Sequence, residues 1–238
     1  MDIISALSII AIAALIHASF QLSISVLTLM SGHAIGTKKS QAKVFRLSAA
    51  YIFGAGVISL LLLSLVVLIY LHLFRSEIPL LAWALASSLS MGIGIAVWLF
   101  YYRRRKKGTE LWVPRAFAHH LTERSKATKQ SVEAFSLGMV TVIAEIIFIL
   151  PSLILAGMAL LYLPGVWQLV GIGIYTIISL FGLGVVWALI GSGHSLSKIQ
   201  KWREKNKYFL QFAAGSLLIV LGFFVYVNQI LTITSGVL

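Results

Sequence analysis

The sequence predicts an all-α membrane protein whose six transmembrane helices form two inverted three-helix repeats. Three observations lead there. Hydrophobic residues fill 59% of 238 positions and mean hydropathy is +0.96, whereas soluble domains are nearer ~45–50% apolar. Six apolar runs reach the length of about 20 residues that a bilayer core demands. The basic residues fall in three blocks between those runs.

In order, the runs lie at Ile3–Leu29, Leu47–Leu73, Leu80–Tyr101, Val132–Leu161, Trp167–Ile190 and Phe209–Leu231. The first is long, with a polar second half. Its start carries Asp2 where a signal peptide would carry basic residues, so it reads as a retained span. The chain then divides into a first repeat (1–101), a basic loop (102–131) and a second repeat (132–238).

The loops predict orientation. Lys38, Lys39, Lys43 and Arg46 lie between the first two spans. Arg103, Arg104, Arg105, Lys106, Lys107, Arg115, Arg124, Lys126 and Lys129 lie between the third and fourth. Lys198, Lys201, Arg203, Lys205 and Lys207 lie between the fifth and sixth. Of the 19 Lys and Arg residues only Arg75 remains on the other side. Under the positive-inside rule these loops are cytoplasmic and both termini lie outside. The same distribution explains the net charge of +12 and argues against nucleic acid as the partner. After Pro114, the run RAFAHHLTERSK places Phe117 and Leu121 on one helical face. It reads as a short basic helix on the cytoplasmic surface, or more sharply as a gate or docking element.

Internal similarity supports two halves. At an offset of 128, Ser87-Ser88-Leu89, Gly94 and Val97 fall on Gly215-Ser216-Leu217, Gly222 and Val225. The same offset lays Phe20 on Phe148, Leu22 on Leu150 and His17 on Glu145. Ile58-Ser59-Leu60 matches Ile178-Ser179-Leu180 at an offset of 120. With three spans per half, the repeat is inverted.

Glu145, an acid near the middle of the fourth span, is the centre of the candidate site. Insertion at that depth costs at least about 2.5 kcal/mol, so the side chain is expected to face protein or a wet cavity. Thr141 and Ser152 share its face, and Pro151 is expected to kink the helix by removing the bond to the Ile147 carbonyl. In the first span His17, Gln21 and Ser25 follow at four-residue steps, with Thr28 next, while Ser19 and Ser23 are expected to point elsewhere. Two readings stand side by side. Either Glu145 takes up protons or balances a cationic group beside His17 and Gln21, or these polar groups bond across helices and hold the bundle together. Gly54, Gly56, Gly92, Gly94, Gly171, Gly173, Gly182 and Gly184 read as close-packing positions ahead of hinges.

Other patterns carry less. Ser31-Gly32-His33 and Ser192-Gly193-His194 each end a span, and read as helix termini ahead of a metal site. His119-His120 diverge by about 100° on a helix and chelate poorly. No pairing of serine with histidine has the layout of a hydrolase, so no enzyme activity is expected, nor any cofactor or resident metal. With no cysteine, thiol chemistry is excluded.

The six-span layout, the polar first span, the stretch SLGMVTVIAEIIFILP and the Gly-marked third and sixth spans resemble the lysine exporter superfamily. That resemblance implies a secondary transporter, an exporter of a small solute or ion, with its site between the first and fourth spans. It implies location in a prokaryotic plasma membrane. Its thiol-transfer branch works through paired cysteines, which this chain lacks. Its metal exporters place acids in both halves, where the first span here offers His17 and Gln21. The other functional class open at this point is a membrane scaffold or assembly factor that binds a partner or anionic lipid through its basic loops. The expected partners are the bilayer, a small solute or ion and, in a homo-oligomer, further copies of the chain.

Overall fold

The structure is a computed structural model describing residues 1–20, 22–36, 41–74, 77–101, 115–192 and 196–232. Ten α-helices lie among them, all but α5 built on the apolar runs: α1 (Ile3–Ser19), α2 (Leu22–Gly36), α3 (Gln41–Leu73), α4 (Leu80–Ala96), α5 (Arg115–Ala127), α6 (Ser131–Ala144), α7 (Ile146–Leu161), α8 (Gly165–Ser179), α9 (Phe181–Gly191) and α10 (Leu196–Val225). Both α4 and α10 run on into π-helical turns, Val97–Tyr101 and Tyr226–Leu231.

Three stretches are long and apolar enough to cross a membrane unbroken: Gln41–Leu73, Leu80–Phe100 and Tyr208–Leu231. Only 28%, 33% and 33% of their apolar windows are buried in the protein, so most of their apolar surface suits lipid. The remaining apolar runs are bent pairs. Ile3–Ser19 and Ser23–Gly32 meet at 43°, Ser131–Ala144 and Ile146–Leu161 at 81°, and Gly165–Ser179 and Phe181–Gly191 at 52°. Counting each pair as one span brings the total to six.

The core sits on α1 and α7. Eleven of the sixteen residues of α7 are buried, and α1 buries Ala6, Ile9, Ile10, Ala13, Ala14, Ile16 and His17. A helix apolar on every side belongs inside its bundle. Helix α1 packs directly on α7, while Gly157 of α7 faces α3, where a Cβ would come within 2.7 Å of Val66. Around this pair lie α3 with α6, α8 against α1, and α4 with α10.

Glycines set the closest approaches. A Cβ on Gly54 would overlap the carbonyl of Phe135, and one on Gly138 that of Tyr51, so α3 and α6 touch backbone to backbone. Between α4 and α10, a Cβ on Gly94 would come within 2.7 Å of the Gly215 oxygen, and one on Gly222 within 2.7 Å of the Ser87 oxygen. Ser90 Oγ donates to the Leu218 carbonyl across the same seam at 2.8 Å.

One difference from the sequence reading concerns the basic segments. Lys198 to Lys207 fold as the first turns of α10 instead of a loop. Helix α5 forms where RAFAHHLTERSK predicts it and packs on α2 and α6. Leu121 is buried there while His119 and His120 are exposed. The side chains of Phe117 and His33, and all of His194, lie outside what is described.

Candidate functional site

Three helix breaks build the site. Phe20 ends α1 in an extended conformation, φ −77° and ψ 131°. Glu145 separates α6 from α7 at φ −87°, ψ −2°, and Leu180 separates α8 from α9 at φ −90°, ψ −3°. The latter two share the sparsely occupied bridge region of backbone space. A broken helix leaves carbonyls at one new end and N–H groups at the other without helical partners. In an apolar medium these must be satisfied locally, which is why such breaks are buried in protein.

Glu145 supplies one such partner. It is 3% exposed. Its Oε1 accepts from the Ser23 backbone N–H at 2.8 Å and its Oε2 from the Ser23 hydroxyl at 2.9 Å. The carboxyl of one broken apolar run therefore caps the first turn of α2 in another, where the helix dipole favours negative charge. Glu145 N–H itself bonds to the Val142 carbonyl at 3.1 Å, closing α6.

A second tier supports the first. The Tyr51 hydroxyl of α3 lies 2.9 Å from the Ser23 carbonyl and 2.7 Å from Thr141 Oγ1, tying α2, α3 and α6 together beneath the carboxyl. All three residues are buried. Behind the α1 break, His17 Nδ1 lies 2.9 Å from the Tyr175 hydroxyl of α8. Phe20 stacks on Phe148 with ring centroids 4.9 Å apart, linking the α1 break to the first turn of α7.

The breaks enclose a cavity lined by His17, Phe20, Ser23, Ser59, Glu145 and Ser179 among others. It measures about 10 Å³ at water centres, room for about one water molecule. Ser59 comes from α3, and Ser179 from the last residue of α8.

The sequence-predicted residues divide as follows. Glu145 and His17 line this cavity. Thr141 stands beneath it through Tyr51. Ser152 turns back to the Ile149 carbonyl at 2.7 Å, and Thr28 to the Ser25 carbonyl at 2.8 Å, away from the cavity. Gln21 lies outside the described residues.

Three expectations are corrected. The four-residue stripe from His17 to Ser25 and Thr28 presumes one continuous helix, and the break at Phe20 ends that register. Ser23, expected to point elsewhere, is the residue that meets Glu145. The kink assigned to Pro151 lies six residues earlier, at Glu145, while Pro151 is buried within α7. Pro151 removes one helical hydrogen bond, whereas Glu145 changes the backbone conformation itself.

Sequence reasoning missed Ser59, Ser179 and the break at Leu180. One signal pointed at them: they lie in the Ile-Ser-Leu pair matched at an offset of 120. Among the described residues no three His, Cys, Asp or Glu side chains gather into a metal-binding group. No protein-family model, curated protein or solved structure matches this chain.

Proposed function

We propose that this chain is an integral membrane secondary transporter, an exporter of a small solute or ion, working in a prokaryotic plasma membrane. One observation carries the reading: breaks in three apolar runs converge on a single buried cavity around one carboxylate. Interrupted helices meeting near mid-depth are the usual way membrane carriers present backbone charge to a substrate or coupling ion. In this reading the three bent pairs each count as one span, giving six, with the basic segments cytoplasmic and both termini outside.

The inverted repeat belongs to the same proposal, and reciprocal contacts support it. With the offset of 128, Ser87 corresponds to Gly215 and Gly94 to Gly222. The contact of Gly94 with Gly215 then has its mirror in that of Gly222 with Ser87. Phe20 touches its own counterpart Phe148, and Ser90 its counterpart Leu218. A two-fold axis produces reciprocal contacts and self-contacts of this kind. The two π-helical turns overlap at the same offset, Val97–Tyr101 against Tyr226–Leu231. The likeness to the lysine exporter superfamily enters as part of this proposal and rests on the same architecture.

A second reading has its own observation. Glu145 is engaged through both oxygens as a cap on α2, as a purely structural acid in a scaffold protein would be. Glu145→Gln separates the two. The amide keeps an oxygen acceptor and the side chain's shape but carries no charge. In the transporter it is expected to insert and fold while losing flux, which is read by substrate accumulation in cells with and without the gene. Full flux from the well-expressed variant would leave Glu145 with the structural role alone.

A further inference from the structure

We infer that the cavity where the three breaks meet is a binding site for one small monovalent cation. Its charge, its donor set and its size point the same way. Glu145 supplies the carboxylate, and among the described residues no Lys or Arg lines the cavity. Both carboxyl oxygens accept hydrogen bonds from Ser23, which fixes the carboxyl at the cavity.

The hydroxyls decide what else can enter. Each has one proton, and each has already placed it: Ser23 on Glu145 Oε2, Ser59 on the Ala55 carbonyl at 2.7 Å, and Ser179 on the Thr176 carbonyl at 3.1 Å. What these three oxygens retain is lone pairs. An occupant placed among these three oxygens meets lone pairs, which favour a cation or a strong donor. Helices α1 and α8 end at the cavity, where carbonyls freed by the breaks can add oxygen ligands, while α2, α7 and α9 begin there, so helix dipoles of both signs meet at the site.

Size and charge narrow the class. The space holds about one water-sized particle, too little for an organic cation. One carboxylate balances one positive charge, and hard oxygen donors without a further acid suit an alkali cation better than a divalent one. His17, the other ionisable lining group among the described residues, is engaged through Nδ1 with Tyr175 and leaves the carboxylate as the charged ligand when its ring is neutral. As a coupling-ion site this rests on the transporter reading above. The binding itself does not.

The test uses the purified full-length protein in lipid nanodiscs. Its unfolding midpoint is followed as sodium, lithium, potassium or choline chloride is exchanged at fixed ionic strength and pH. A bound ion raises the midpoint with the logarithm of its concentration above the dissociation constant. The expected result is such a rise with an alkali cation and none with choline. Ser59→Ala and Ser179→Ala should each move its onset to concentrations on the order of tenfold higher, and Glu145→Gln should abolish it. If Glu145→Gln does not fold, the two serine variants carry the test.

Equal response to all four salts, or none, would overturn the inference and leave the cavity to a water molecule. In parallel titrations of pH and of magnesium or calcium chloride, a midpoint that follows pH but not the cation would overturn it in favour of a proton, and preference for magnesium or calcium in favour of a divalent ion. An alkali response unchanged in both serine variants would move the ion elsewhere. Ion binding without flux of any solute would remove the transporter reading alone, whereas flux indifferent to alkali cations would remove the coupling role alone.

Discussion

At the scale of single residues, Glu145 and Ser23 form the contact on which the junction depends. A carboxylate that receives an N–H and an O–H from the same residue is held in position as well as in charge. Ser23→Ala removes one of those bonds and keeps the other. The expected cost is about 1–2 kcal/mol, at the low end for a hydrogen bond to a charged group because the backbone donor stays in place. Tyr51→Phe should cost about 1–3 kcal/mol, since it deprives both the Ser23 carbonyl and Thr141 Oγ1 of a partner. Denaturation in mixed micelles measures both variants. Destabilisation by Ser23→Ala but not Tyr51→Phe would mean that the tier beneath the carboxyl bears no strain.

The acid itself was legible as a candidate from the sequence, because a carboxyl in an apolar run of this length is costly wherever it points. Its partner was not. The stripe of His17, Gln21, Ser25 and Thr28 was drawn on an unbroken helix, and every residue beyond a break is rotated out of such a stripe. Ser23 therefore became visible only when the extended backbone of Phe20 was seen.

Elements are held together by close backbone approach. Helices α3 and α6 meet where neither Gly54 nor Gly138 has room for a methyl group. Nothing lies within 4 Å of a Cβ on Gly92, on the exposed side of α4. Gly54→Ala and Gly138→Ala should each destabilise by about 1–3 kcal/mol or more, because the obstacle is backbone that cannot rotate away. Gly92→Ala should be neutral or stabilising by up to about 1 kcal/mol through helix propensity. Unfolding midpoints of the three variants test the contrast, and equal effects would show that the α3–α6 seam yields. The sequence reading treated all these glycines alike, since a glycine against a neighbouring backbone and one facing lipid occupy the same kind of apolar run.

At the scale of the molecule, topology and symmetry are the open properties that experiment can reach first. Six spans with cytoplasmic basic segments place a reporter fused near Thr109 on the opposite side of the membrane from one fused at Leu238. Fusions reporting the same side would break the six-span count. The charge partition behind this expectation does not depend on packing, because it concerns which segments resist crossing the bilayer. Reciprocal contacts between α4 and α10 bear on symmetry in a way that sequence similarity cannot. Apolar helices resemble one another by chance, but contact of Phe20 with Phe148 and of Ser90 with Leu218 requires that the matched residues also lie together.

By itself the sequence determined the positions of the apolar helices, the blocks of basic charge between them and the presence of one acid too deep to ignore. These are sums over local composition, and the bilayer reads them one segment at a time. Tertiary structure alone decided that the first, fourth and fifth apolar runs are broken, and that the fourth breaks at Glu145 and not at Pro151. It also decided that Ser23, Ser59 and Ser179 share a cavity with Glu145 and His17. The reason is energetic. A helix interrupted in an apolar medium is tolerable only where another segment satisfies the exposed ends. Here the cap for α2 comes from a residue 122 positions away. No window of sequence around Ser23 contains that partner, so no local pattern could announce the break.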